Sequence, residues 1–213
     1  MRKEIDPTHT ARGKAFEFWM SSPMPMVTMT KTFDVSHLVK KSKQKKWKFN
    51  MLLCWAIGCA ASRMKEFYLL PENEKGQFSE SGRLMQYDKI AINVIVRNQK
   101  GGINSCDIPY SEDIEQFNND YLLLTSQAKN QCESLFLEDA MVVGTSAMIE
   151  AELDSIVNQY TDKFCNPMLL WGRYRQGFWR TTLPISFQFH HVQMDGGDAA
   201  TFMELLQVIM KVI

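Results

Sequence analysis

The sequence has no long apolar run. None of its apolar stretches approaches the roughly 20 residues that a membrane-spanning helix needs, and the N-terminal stretch MRKEIDPTHTARG lacks the apolar segment of a secretion signal. The chain also lacks a charge excess, because 24 lysines and arginines balance 24 aspartates and glutamates. We therefore expect a cytoplasmic protein that binds neither nucleic acid nor membrane.

Cysteine motifs and linkers are missing as well. The five cysteines include no CxxC spacing, so we expect reduced thiols, no disulfide framework and no bound metal. No stretch is rich enough in proline, glycine or serine to mark a linker, and we expect one domain over residues 1–213. The most basic stretch, VKKSKQKKWKF at residues 39–49, is predicted to be a solvated loop before a helix.

Helix and strand patterns alternate irregularly along the chain. Helices are predicted to start near Thr10, at Asn50 (NMLLCWAIGCAASRMKEF), after the cap residue Ser111 (through to ESLF, the longest helix) and past Asp198. Strands are predicted over PMVTMTKTFDV, IAINVIV, AMVVGTSAM and two segments joined around Gln176-Gly177. This order predicts an α+β fold in which helices cover a mixed β-sheet.

The stretch FQFHHVQMDGGDAATF contains half of the chain's four histidines. In the strand before it, apolar residues occupy one parity and polar residues the other, so His190 and His191 leave the strand in opposite directions. Imidazole accepts and returns a proton near neutral pH, which makes His191 a candidate general base, four residues before Asp195. An HxxxDG pattern alone also occurs by chance, as a strand end followed by a turn.

The surrounding segments resemble the chloramphenicol acetyltransferase family. PISFQFHHVQMDG is similar to the family's C-terminal signature, and five further segments follow in the family's order: ARGKAFEFW, KKWKFNMLLCWAI, PYSEDIEQFNNDYL, SAMIEAELDS and NPMLLWGRYRQG. The resemblance covers nearly the whole chain. It implies the family's two-layer α+β sandwich, acetyl-CoA as a cosubstrate and no tightly bound cofactor.

The resemblance also implies catalytic roles. His191 would take the proton from an acceptor hydroxyl as its oxygen attacks the thioester carbonyl. Ser146 would donate a hydrogen bond to the resulting oxyanion. Asp195 would pair with Arg12 and hold the loop after His191, whereas His190 would have a supporting role.

Binding residues follow from the same resemblance. The acetyl-CoA contacts would be Lys48, Arg173 and Tyr174, although exposed cations are common on any surface. The acceptor pocket would involve Trp19, Pro25, Val27, Ile103 and Leu170, some of which could equally be core residues. The family's assembly implies a homotrimer with active sites between subunits, the histidine coming from one subunit and most acceptor contacts from its neighbour.

Two departures from the family bear on the acceptor. Ile149-Glu150 replaces a Pro-Trp pair after the oxyanion serine, and Leu170 replaces a threonine that helps to hold water. The favoured acceptor is the primary hydroxyl of chloramphenicol, which would make the chain an antibiotic-resistance enzyme.

Two alternatives stay open. One is a CoA-dependent acyltransferase with another small hydroxyl or thiol acceptor, as in the dihydrolipoamide acyltransferase cores, although those normally carry additional modules and none precedes residue 10. The other is a non-catalytic relative that binds a ligand in the old cleft. Retention of His191, Asp195, Ser146 and Arg12 together argues against the second.

Overall fold

The structure is a computed structural model that describes residues 1–73, 82–161 and 163–213. Its helices are α1 (Gly13–Trp19), α2 (Ser36–Lys45), α3 (Phe49–Ala61), α4 (Ile114–Gln131) and α5 (Gly196–Val212). Its strands are β1 (Arg2–Ile5), β2 (Met26–Asp34), β3 (Leu69–Glu72), β4 (Arg83–Tyr87), β5 (Ile90–Arg97), β6 (Ile103–Pro109), β7 (Met141–Met148), β8 (Met168–Gly172), β9 (Arg175–Gln176) and β10 (Thr181–His190). None of the helices in these ranges is long and apolar enough to cross a membrane.

A mixed sheet organises the fold. Its strand order is β2-β10-β8-β7-β5-β6, with β9 paired to β10 beside this path. The β5–β7 and β7–β8 pairs are parallel and the other pairs are antiparallel. A small sheet of order β1-β4-β3 lies apart from it. The predicted α+β class is confirmed.

Helices cover one face of the mixed sheet, as the alternation in β10 predicts. Phe187, on the apolar parity, contacts Phe202 of α5 with 4.8 Å between ring centroids. Thr145 of β7 lies 3.8 Å from the Cys54 sulfur of α3. The hydrophobic core therefore fills the space between this face and the helices.

Residues 156–158 cover part of the opposite face. The Ile156 N–H donates to the Ser186 hydroxyl at 2.9 Å, and the Asn158 carbonyl accepts from the Gln188 amide at 3.2 Å. Both β10 side chains are buried for this reason, at 1% and 4% exposure. The polar parity of β10 thus faces irregular chain rather than helices.

Two predicted helix caps are wrong. Thr10 ends a 3₁₀ turn, so α1 begins after Arg12, whose N–H donates to the Thr10 hydroxyl at 3.0 Å. Asp113, and not Ser111, caps α4, because the Asp113 carboxylate accepts the N–H groups of the first helical turn.

Helix lengths also differ from the predictions. The helix predicted to run through residue 67 ends at Ala61 and is followed by a 3₁₀ turn at Lys65–Tyr68. α4 is the longest helix, as expected, but it stops before Cys132, which adopts a left-handed φ of 57°. The basic stretch 39–49, predicted to be a loop, lies mostly in α2, because Leu38 and Val39 anchor one side of that helix in the core.

Candidate active site

His191 is the first residue after β10 and lies against the end of α1. Its N–H donates to the Pro25 carbonyl at 2.8 Å. Its imidazole stacks on the Trp19 indole, with 4.6 Å between centroids and 7° between planes. Two residues assigned from sequence to the acceptor pocket therefore hold the candidate base itself.

The two ring nitrogens of His191 differ in surroundings. Nδ1 is buried and has no hydrogen-bond partner among the described residues, whereas Nε2 is not enclosed in this way. In a neutral imidazole one nitrogen carries the proton and the other accepts. Nε2 is therefore the atom that an incoming acceptor hydroxyl can reach.

Arg12 holds the backbone that follows the strand. Its Nη2 donates to the His191 carbonyl at 2.7 Å and its Nε donates to the Val192 carbonyl at 2.8 Å. The expected contact with Asp195 is present, at 3.4 Å from Nη1, and Asp198 lies 3.8 Å from the same atom. The two carbonyl bonds are shorter, so Arg12 acts on the loop mainly through the backbone.

Asp195 is the N-cap of α5. Its carboxylate accepts the N–H groups of Gly197 at 3.1 Å and Asp198 at 3.3 Å. Hydrogen bonds from the Asp198 and Gly197 backbone, together with the Arg12 charge, hold the pKa of Asp195 below its usual value. The ionised carboxylate thus fixes the start of α5 directly after the turn that carries His191.

Ser146 lies far from His191 within one chain. Ser146 of β7 pairs with Leu170 of β8, which pairs with Ser186 of β10. Two strand spacings of about 4.8 Å and five residues of about 3.3 Å each put Ser146 roughly 15–20 Å from His191. The Ser146 side chain has no hydrogen bond to the described part of the chain.

The predicted acceptor residues are scattered. Val27 pairs with Phe189 and packs, partly buried, against the core on the helix-covered side, and its assignment to the acceptor pocket stays a prediction. Ile103 is 70% exposed at the start of β6, which is four strand spacings, or about 19 Å, from β10. Leu170 is buried between the strands of Ser146 and Ser186.

The three residues expected to contact acetyl-CoA lie just before α3 and just after β8. Lys48 precedes α3, and its neighbour Phe49 contacts the Tyr174 ring with 5.1 Å between centroids. The Arg173 guanidinium lies 3.8 Å from the Glu152 carboxylate. Glu152 was not expected from the sequence, because it follows Ile149-Glu150, where the chain departs from the family pattern.

Sequence reasoning also missed a cavity of about 490 Å³ on the helix-free face. It extends from Met26, which pairs with His190, across to β6. Its lining includes amide side chains and a buried carboxylate alongside apolar groups: Asn93, Asp107, Phe136, Asn158, Phe164 and Gln188. A signal was available, because residues 93 on β5 and 105 and 107 on β6 share one parity. No cluster suited to a metal ion occurs in the described ranges.

Comparisons with known proteins give one matching family model, curated relatives of the same description and solved structures of the same fold. A family model described as chloramphenicol acetyltransferase matches residues 2–207. Chloramphenicol acetyltransferase 3 of Escherichia coli is 26% identical, with 96% of this chain and 94% of that protein covered. A solved structure of a chloramphenicol acetyltransferase superposes with a TM-score of 0.81 at 19% identity, covering 99% of this chain and 100% of that one.

A second solved structure shares the fold. It is a truncated catalytic core of the 2-oxoacid dehydrogenase multienzyme complex from Thermoplasma acidophilum, with a TM-score of 0.66 at 17% identity and 99% of both chains covered.

Proposed function

The chain belongs to the chloramphenicol acetyltransferase family, an acyltransferase family that uses acetyl-CoA, and from this premise we propose that it acetylates the primary hydroxyl of chloramphenicol. The observation that carries the proposal is His191, whose imidazole is fixed by Trp19 while Nε2 stays open. A positioned base of this kind contributes about 10²–10⁴ in rate.

The reaction is a direct transfer. His191 Nε2 takes the proton of the acceptor hydroxyl while the hydroxyl oxygen forms a bond to the thioester carbonyl carbon. The carbonyl electrons move onto oxygen, where a serine hydroxyl donates a hydrogen bond. Collapse of this tetrahedral intermediate breaks the carbon–sulfur bond, and the CoA thiolate takes the proton back from the imidazolium.

That serine is Ser146 of a neighbouring copy. Within one chain, Ser146 lies roughly 15–20 Å from His191, too far for both to contact one reacting carbonyl. Ile103, another residue assigned to the acceptor, lies at the opposite edge of the same sheet. A closed ring of copies places the His191 end of one chain against the helix-free face of the next, and the family resemblance favours a homotrimer.

The cavity on the helix-free face supports an amide-containing aromatic acceptor. It combines apolar side chains, including Phe136 and Phe164, with the amides of Asn93, Asn158 and Gln188. Chloramphenicol offers a nitroaromatic ring, an amide and hydroxyls, which match both kinds of lining. In the assembly we propose, this face of one copy meets His191 of the next.

Acetyl-CoA would bind near Lys48 and Tyr174, with Arg173 beside them. Lys48 and Arg173 can attract the phosphates, and the Tyr174 ring gives a face for the adenine. Glu152 already pairs with Arg173 and would compete with a phosphate there. Both partners are about half exposed, so this competition is weak.

The product of the reaction tests the acceptor. Purified protein incubated with acetyl-CoA and chloramphenicol should give mono-acetylated drug by mass spectrometry, and the same incubation with His191→Ala should not. Absence of acetylated drug, with acetyl-CoA hydrolysis that still depends on His191, would show a working site whose acceptor is another small hydroxyl or thiol compound. Absence of both would favour a non-catalytic ligand-binding protein.

A further inference from the structure

The peptide group that joins His191 to Val192 is held at both ends. Its carbonyl oxygen accepts from Arg12 Nη2 at 2.7 Å. Its N–H donates to the ring Nδ1 of His190 at 3.1 Å. The neighbouring N–H of His191 is fixed as well, by the Pro25 carbonyl at 2.8 Å. The backbone orientation that aims the His191 ring therefore depends on a second imidazole.

We propose that His190 is a positioning residue for acyl transfer, whose Nδ1 holds the 191–192 peptide so that the His191 ring stays on Trp19 with Nε2 toward the acceptor. The proposal rests on the function proposed above only in taking His191 as the base. His190 itself touches neither substrate nor reacting atoms.

Only one protonation state of His190 suits this role. Nδ1 accepts a backbone N–H, so the ring proton is on Nε2 and the ring is neutral. The side chain is 1% exposed, and burial, with a smaller effect of the adjacent His191, lowers its pKa to about 4. His190 therefore remains an acceptor near neutral pH, and it adds no second positive charge when His191 takes a proton.

The turn after β10 closes on the same residue. The His190 carbonyl accepts the N–H groups of Gln193 at 2.9 Å and Met194 at 3.3 Å. The ring and the carbonyl of His190 thus accept hydrogen bonds from three successive backbone N–H groups, at positions 192, 193 and 194. Loss of the ring acceptor leaves the Val192 N–H buried without a partner, which favours rotation of the peptide that carries His191.

A matched pair of variants isolates the ring acceptor. In His190→Asn the amide oxygen takes the place of Nδ1, whereas in His190→Leu a side chain of similar size has no acceptor. Because a misplacement of about 1 Å costs up to 10²-fold, kcat of His190→Leu should fall on the order of 10–100-fold. His190→Asn should lose at most about threefold, and KM for acetyl-CoA should change little in either variant.

A second readout does not require turnover. In the wild type, proton NMR signals of the His191 ring should be shifted upfield by the Trp19 indole. His190→Asn should keep this shift and His190→Leu should lose it. This holds whatever the acceptor is, so failure of the proposed function and failure of the positioning role are distinguishable.

The proposal is overturned if His190→Leu keeps wild-type kcat and the upfield shift, or if both folded variants lose them equally. Thermal unfolding of each variant identifies loss of the fold. Should His190→Leu not fold, His190→Asn alone decides, and a loss of kcat clearly above about threefold in that variant overturns the proposal.

Discussion

The imidazole of His191 lies parallel to the indole of Trp19, with ring centroids 4.6 Å apart. Trp19 is the last residue of α1, so a helix near the N-terminus supports the proposed base, which is 172 residues further along the chain. Arg12, just before the same helix, binds the carbonyl of His191. Trp19 and Arg12 thus hold the ring and the backbone of the proposed base.

Trp19→Ala should lower kcat more than it raises KM for the acceptor. Stacked aromatic pairs are worth about 0.5–1.5 kcal/mol, so removal of the indole should free the His191 ring and lower kcat on the order of tenfold. Trp19→Phe keeps a ring under the imidazole and should lose less. Steady-state kinetics with both variants make the measurement. A pure KM effect would return Trp19 to the acceptor role expected from the sequence.

Ser146→Ala should lower kcat on the order of 10²–10³, since one oxyanion donor is lost. KM values should change little. Ser186→Ala is the control, because Ser186 is also a strand serine on the helix-free face but its hydroxyl already bonds Thr30 and the Ile156 N–H. That control should lower the unfolding temperature and leave most of kcat. Equal kcat losses in the two variants would remove Ser146 from the oxyanion role.

Mixed assemblies of two inactive chains should regain activity. If His191 and Ser146 act in different copies, a site between a Ser146→Ala chain that supplies the histidine and a His191→Ala chain that supplies the serine is complete. After unfolding and joint refolding of equal amounts, about a quarter of the sites should be complete and active. The control is the same mixture without joint refolding. Mixtures that stay at the level of the separate variants would mean that both residues act within one chain.

Acid should weaken the fold through His190. Its folded-state pKa of about 4 lies below the ordinary value of 6.5, so the unfolded chain binds this proton first and stability falls as pH drops from 6.5 toward 4. His190→Asn cannot titrate and should lose less stability over that window. Denaturant unfolding of both proteins at pH 7 and pH 4.5 measures the difference. Equal losses would show that His190 does not titrate with a lowered pKa.

Strand β10 and the turn that follows it could be predicted because short sequence patterns encode them. The alternation from Leu183 to His190 sets which side chains meet the helices. The next helix was predicted only past Asp198, whereas α5 begins at Gly196, because the Asp195 carboxylate caps it. The contact between Arg12 and Asp195 was accessible only through the family resemblance, since local patterns carry no information on residues 183 positions apart.

The remaining features depend on long-range packing. The stacking of Trp19 on His191 and the packing of Val27 against the core follow from how β2 and α1 meet β10, which no local pattern encodes. A loop was predicted in place of α2, because the lysines of this segment outnumber the two buried residues, Leu38 and Val39, that anchor it in the core. The separation of Ser146 from His191 follows from strand order and register, neither of which the sequence specifies locally.

The most direct test of the account is the rate of CoA thiol release by wild-type protein and His191→Ala with acetyl-CoA and chloramphenicol. The variant should stay folded with at most a small fall in unfolding temperature, because the ring of His191 makes no hydrogen bond to the described residues and its removal costs only the stacking on Trp19, about 0.5–1.5 kcal/mol. Its rate should fall at least on the order of 10²–10⁴, the contribution of a positioned base. A folded His191→Ala protein that releases thiol at the wild-type rate would contradict the account.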